Sequence, residues 1–102
     1  MRYRIELSAE VNAQILSAVS YYEGIQEGLG GKLEEEVDAV LRAVVENPLQ
    51  YRKEFGPVHR AYMKRFKQVF FYTIRNDAVV VTEMRDARRE PPDWKAMGYQ
   101  SN

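Results

Sequence analysis

The stretch Arg60–Trp94, RAYMKRFKQVFFYTIRNDAVVVTEMRDARREPPDW, decides how this chain is read. Two runs rich in β-branched and aromatic residues, Gln68 to Arg75 and Ala78 to Met84, flank Asn76-Asp77. Asn and Asp tolerate the positive φ of a tight hairpin turn, so the pair of runs predicts a β-hairpin. A third strand is expected from His59 to Arg65, and a basic segment follows the hairpin and closes on Pro91-Pro92-Asp93-Trp94. A small sheet that carries many Arg and Lys, without an evident nucleophile or metal cage, suits the gripping of an acidic partner.

Upstream, residues 1–7 alternate Met1, Tyr3, Ile5 and Leu7 with Arg2, Arg4 and Glu6, the period of a strand with one buried face. Ser8 is placed as an N-cap with Glu10 in the first turn. Val11, Ile15, Ala18, Val19, Tyr22 and Ile25 then recur at steps of three and four, which predicts an amphipathic helix ending near Gly28. Leu29-Gly30-Gly31 reads as a short break. Leu33, Val37, Val40, Leu41, Val44 and Val45 mark a second helix that Asn47-Pro48 stops, with Glu34-Glu35-Glu36 expected in its first turn. Tyr51 to Pro57, broken by Gly56-Pro57, reads as a loop. The expected fold is α+β in the order β-α-α-β-β-β, a helical hairpin covering one face of a mainly antiparallel sheet.

The 102 residues suit one domain, 1–102, with one core. A hydrophobic content of 45% argues against disorder. The absence of cysteine excludes disulfides and thiolate chemistry and fits a reducing compartment, so a cytoplasmic location is expected. No export signal or membrane-spanning run is read in the chain. The net charge of zero hides an asymmetry. Residues 1–50 hold four basic side chains against nine acidic ones, a formal −5, and residues 51–102 hold eleven against six, a formal +5. The second half therefore predicts a positive face that would attract nucleic acid or an acidic peptide.

The element order and a set of short motifs resemble the RelE/ParE superfamily of toxins from bacterial type II toxin–antitoxin modules, also described as plasmid stabilisation proteins. The motifs are Ser8-Ala9, Tyr21-Tyr22-Glu23, Gly28-Leu29-Gly30, Glu36-Val37, Asn47-Pro48 before Tyr51, His59-Arg60, Lys64-Arg65-Phe66, Val69-Phe70-Phe71-Tyr72, and Arg88-Arg89-Glu90-Pro91 before Trp94. Their order across the chain carries the resemblance. It implies one of two activities: RelE-like members cleave mRNA on the ribosome, and ParE-like members poison DNA gyrase. Val69 stands where RelE-like sequences commonly place an Arg, and an apolar residue stabilises no phosphorane charge. The terminal aromatic is Trp94, whose indole does not titrate, where a Tyr or His would move a proton. These residues favour the ParE-like branch, while Lys67-Gln68 departs from the Pro-aromatic pair of many relatives. The resemblance further implies a cognate antitoxin that wraps this chain in a hetero-oligomer. Harmless antitoxin-binding relatives form a third class.

Metal-free RNA cleavage would need proton carriers and phosphate-binding cations. The candidate cations are Arg60, Lys64, Arg65, Arg85 and Arg88; the candidate carriers are His59, Tyr62 and Tyr72. For a RelE-like mechanism the catalytic set would be Arg65, Arg88, His59 and Tyr72. His59 and Tyr72 also read as structural residues at a strand start and at the core. The partner-binding set is Arg60, Lys64, Arg85, Arg88, Arg89 and Trp94, because guanidinium groups make bidentate contacts to carboxylate or phosphate. Asp86, Glu90 and Asp93 offer those arginines internal pairs, and Trp94 is read either as an interface anchor or as a residue sealing the sheet. Gly28-Leu29-Gly30-Gly31 follows a helix and lacks a Gly-Lys-Ser/Thr ending, so it reads as a turn and not as a phosphate loop. No metal-ligand spacing is read, and no cofactor is expected.

Overall fold

The computed structural model describes residues 3–101. The chain runs β1 (Arg4–Leu7), α1 (Ala9–Ile25), α2 (Leu29–Glu46), a single 3-10 turn (Pro48–Gln50), β2 (Lys53–Phe55), β3 (Val58–Tyr62), β4 (Gln68–Arg75) and β5 (Ala78–Asp86). The five strands form one sheet in the order β1-β5-β4-β3-β2, with β1 parallel to β5 and every other pair antiparallel. The α+β architecture with a helical hairpin on the sheet stands as expected, with one strand more than was read. Met1 and Arg2 of the expected opening strand lie outside the described residues.

β4 is central because its apolar run is buried on both sides. Phe70 and Tyr72 face the helices together with Val11, Leu33, Val37, Val44, Val79 and Val81. Val69 and Phe71 face the opposite side, where Val58, Trp94 and the partly buried Phe55 and Tyr99 cover them. A strand sandwiched in this way reads as a continuous hydrophobic run, where one-sided strands alternate. Asn76 takes the turn between β4 and β5 at φ 55°, as its residue type allows. Asp77 at the same turn receives the Arg4 guanidinium at 3.1 Å, and its carbonyl accepts the Arg4 amide at 2.8 Å, which ties β1 to the hairpin tip.

Four local expectations are corrected. Tyr51 to Pro57 is not all loop, because β2 pairs with β3 and Gly56-Pro57 forms the tip of that hairpin, with Gly56 at φ 52°. A Cβ on Gly56 would also collide with the Gln100 carbonyl, so the breaker pair serves a tight turn under the C-terminal segment. β3 stops at Tyr62 instead of Arg65, since the Lys64 and Arg65 amides leave the sheet and donate to Glu36 Oε2 at 2.7 and 3.0 Å. α2 begins at Leu29, so Glu34-Glu35-Glu36 lies beyond its first turn. The open amides there are met by Glu23 of α1, which accepts from Gly28 and Gly30 at 2.9 Å each. Lastly, Ile5 of the expected buried face of β1 is exposed, because β1 is an edge strand.

Ser8 caps α1 as its type predicts, its Oγ accepting from the Val11 amide at 3.1 Å, a contact worth about 1 kcal/mol. β5 carries one extra residue, Thr82, opposite Phe71 and Tyr72. At this bulge Gln14 of α1 accepts from the Met84 amide at 3.0 Å and donates to Glu83 at 3.2 Å. The bulge bends the end of β5 toward α1 and brings its arginines beside that helix.

Candidate functional site

Two predicted proton carriers are in the interior. His59 is 5% exposed, and its Nδ1 lies 2.9 Å from the Tyr51 carbonyl. A carbonyl only accepts, so Nδ1 carries the proton. The imidazole stacks on Tyr72 with ring centroids 5.1 Å apart. Tyr72 is fully buried, and its hydroxyl donates to the Pro48 carbonyl at 2.6 Å. Burial pushes its phenol well above the usual tyrosine range, because the charged phenolate would have no water around it. Together they join β3 and β4 to the turn after α2, away from Arg65 and Arg88 on the surface. Tyr62, by contrast, is exposed, with the Arg60 guanidinium 5.6 Å from its ring centre.

Of the two readings of Trp94, partner anchor and seal of the sheet, its burial fits the seal. It is 5% exposed and packs edge-on against Phe71, with centroids 4.8 Å apart, so it seals the face of the sheet remote from the helices. The single tryptophan is thus committed to the core.

Several predicted cations are paired internally. Arg60 donates to Glu54 at 2.8 Å. Arg85 donates to Glu83 at 2.9 Å and to the Glu90 carbonyl at 3.0 Å. Arg88 makes a fork on Asp86, Nε to Oδ1 at 3.0 Å and Nη2 to Oδ2 at 2.6 Å. That fork, followed by the Arg88 amide, holds the Asp86 carboxyl down at about 2. The Arg89 amide donates to the Asp86 carbonyl at 3.1 Å, and its side chain is exposed.

Two adjoining clefts run along the C-terminal end of α1. The larger, about 920 Å³, lies between α1 and the end of β5. It contains Arg85, Arg88 and Arg89, but Glu83, Asp86 and Glu90 line it as well, so its charge cancels. The smaller, about 420 Å³, differs in kind. Its floor is Tyr21, Tyr22, Ile25, Leu29 and Phe66, its rim is Arg65, Lys67 and Arg88, and no carboxylate lines it. Tyr22 holds this floor by edge-on contacts to Tyr21 at 5.3 Å and to Phe66 at 5.0 Å. The Glu36 carboxylate positions the rim from below by holding the Lys64 and Arg65 amides, which turns the loop after β3 toward α1. This smaller cleft is the candidate site: Arg65 and Lys67, beside an Arg88 already forked on Asp86, meet an aromatic lining that suits a ligand both anionic and apolar or planar.

The fold brings Arg65 and Arg88 together and leaves Arg60, His59, Tyr72 and Trp94 elsewhere. Lys64 is exposed in the same loop as Arg65. Sequence reasoning missed Tyr21, Tyr22, Phe66 and Lys67 as site residues. The signal available was the Tyr21-Tyr22 pair itself: adjacent residues on a helix point about 100° apart, so one of two neighbouring tyrosines had to lie off the buried stripe. Among the described residues no group of three His, Cys, Asp or Glu is placed to hold a metal ion, and no helix is long and apolar enough to cross a membrane. No protein-family model matches the chain, and no curated protein matches it.

Proposed function

We propose that this chain is the toxin of a type II toxin–antitoxin pair from the ParE-like branch of the RelE/ParE superfamily, acting in the cytoplasm on DNA gyrase and neutralised by a cognate antitoxin. The observation that carries this reading is the character of the smaller cleft: Arg65, Lys67 and Arg88 line it together with Tyr21, Tyr22 and Phe66, while His59 and Tyr72 are buried in the core. Such a site binds an anionic partner without needing a proton to move, which suits an inhibitor that holds its target in one state. The outer face of the sheet supports the same reading, since Val69, Phe71 and Trp94 close it with apolar side chains.

One observation favours the RelE-like alternative, cleavage of mRNA on the ribosome. Tyr21 is 66% exposed in the cleft with Arg88 at its rim, which offers a phenol beside a phosphate-binding cation. Inducible expression without antitoxin, followed early by assays of gyrase-linked DNA breaks and of transcript integrity, separates the readings. The expected result is DNA breaks with intact transcripts, weakened roughly tenfold or more by Arg65→Glu with Lys67→Glu and untouched by Tyr21→Phe. Cut transcripts over intact DNA, abolished by Tyr21→Phe, would overturn the gyrase reading. Harmless expression with both substrates intact would assign the chain to the antitoxin-binding relatives without toxicity.

A further inference from the structure

Gln68 opens β4 with a buried carboxamide that no neighbour satisfies. The residue is 7% exposed. Its main chain is engaged on both sides, the amide donating to the Phe66 carbonyl at 2.8 Å and the carbonyl accepting from the Met63 amide at 3.0 Å. Its side chain makes no hydrogen bond among the described residues. Side chains alternate along a strand, which puts Gln68 on the face of Phe70 and Tyr72, toward the helices. There it lines the larger cleft, the space of about 920 Å³ between α1 and the end of β5. Buried polar groups are nearly always hydrogen-bonded, so a free one facing a cavity marks a place for a ligand.

The neighbouring polar groups of that cleft are already engaged. Gln14 accepts from the Met84 amide and donates to Glu83, while Glu83 and Asp86 hold Arg85 and Arg88. The remaining charges, Arg89 and Glu90, are exposed and of opposite sign, so the lining as a whole is neutral. From α1 come Ala13, Ser17 and Ala18, three short side chains that leave space beside Gln68, and Met84 and Tyr22 add apolar surface. Tyr22 lines the smaller cleft too, whereas Gln68, Ser17 and Met84 belong to the larger one.

The geometry points to a nucleoside site in this cleft, with adenine as the base read by Gln68. A carboxamide offers a donor and an acceptor side by side, the complement of the adenine amino group and N7; guanine presents two acceptors on the same edge, which suit an arginine instead. The short side chains of α1 facing Met84 and Tyr22 leave an apolar space for a flat ring. Neutrality of the lining decides against a nucleotide. A phosphate chain gains little from arginines that Glu83 and Asp86 already hold, so the ligand is the uncharged nucleoside. The site uses neither Arg65 nor Lys67, and it stands apart from the gyrase reading.

Adenosine titrated into the isotope-labelled chain reads the site through the NMR signals of the Gln68 side-chain amide, identified by their loss in Gln68→Met. The expected result is a saturable shift of that pair, with adenosine monophosphate bound within about threefold of adenosine and little change between about 50 and about 200 mM salt. Inosine, in which a carbonyl replaces the amino group, and guanosine should bind at least about tenfold more weakly. Gln68→Met keeps a side chain of similar length and should weaken adenosine binding by about tenfold or more with the circular dichroism unchanged. Arg65→Glu with Lys67→Glu should bind adenosine as wild type does, which keeps the test independent of the smaller cleft. No saturation by about 10 mM adenosine, equal binding of inosine, or wild-type affinity in a folded Gln68→Met would overturn the proposal. Saturation by a short oligoadenylate alone would overturn the free nucleoside as the ligand.

Discussion

Replacing Tyr72 by Phe separates a structural tyrosine from a catalytic one. The phenol is fully buried and its hydroxyl donates to the Pro48 carbonyl at 2.6 Å. Tyr72→Phe removes one oxygen and leaves the ring stacked on His59, so the loss is that of a hydrogen bond and not of packing. If the Pro48 carbonyl stays dry it loses the donor that Tyr72 supplies, and the cost is about 1–3 kcal/mol. For a domain of this size each kcal/mol lowers the midpoint of thermal unfolding by about 4–8 °C. The alkaline limb gives a second, independent reading. Burial raises the folded-state pKa above the ordinary value of 10.0, so stability from this group is complete below pH 10 and is lost as pH rises through the raised value. Above pH 10 the unfolded chain ionises this phenol and the folded chain does not, which removes about 1.4 kcal/mol of stability per pH unit. Urea unfolding followed by circular dichroism from pH 7 to 11 should therefore show wild type falling more steeply than Tyr72→Phe above pH 10. Equal stability at pH 7 together with parallel alkaline slopes would refute the buried, hydrogen-bonded assignment. Activity provides the functional arm, since any proposed effect on gyrase should survive Tyr72→Phe in full once temperature is kept below its midpoint.

Two further outcomes are expected. Trp94→Ala should cost about 3–5 kcal/mol by stripping cover from Phe71 and Val69, while Trp94→Phe should cost less, because the buried indole Nε1 has no hydrogen-bond partner among the described residues to lose; chemical denaturation gives both values, and a surface-like cost for the alanine variant would return Trp94 to the role of partner anchor. The Asp86 carboxyl is depressed to about 2 by Arg88, so it stabilises the fold above its ordinary 3.8 and that contribution is lost as pH falls toward 2. Asp86→Asn should accordingly flatten the fall of the thermal midpoint between pH 4 and pH 2, and an unchanged acid slope would show that the exposed fork adds nothing.

Much of the fold was legible because local chemistry agreed with it. Ser8 caps, Asn76 turns, and the spacing of Val11, Leu33, Val37 and Val44 points to one helical core, each a decision taken within a few residues. The expectations that failed depended on partners distant in sequence. Gly56-Pro57 was read as a break because nothing nearby shows that β2 has β3 to pair with. The Glu34-Glu35-Glu36 run was assigned to a helix start, although Glu23 from the preceding helix fills that role and Glu36 holds a loop instead. Arg85, Arg88 and Arg89 stood out as a basic cluster, yet Glu83 and Asp86 neutralise two of them within the same strand end.

Composition, periodicity and residue type are properties of short windows, and they were enough to settle the α+β class, the order of the helices and the hairpin, and the basic character of the second half. Which cations share a surface is a different kind of fact, because it depends on how segments remote along the chain meet. Only the packing of α1 against β5, with the bulge at Thr82 and the bridge from Gln14, brings Arg88 into one cleft with Tyr21 and Tyr22. Only the carboxylate of Glu36, reaching from α2, turns Arg65 toward the same rings. The same packing withdraws His59, Tyr72 and Trp94 from solvent, since β4 must be covered on both faces, and so it leaves the cleft at the end of α1 as the place where the exposed cations Arg65 and Lys67 meet an aromatic surface.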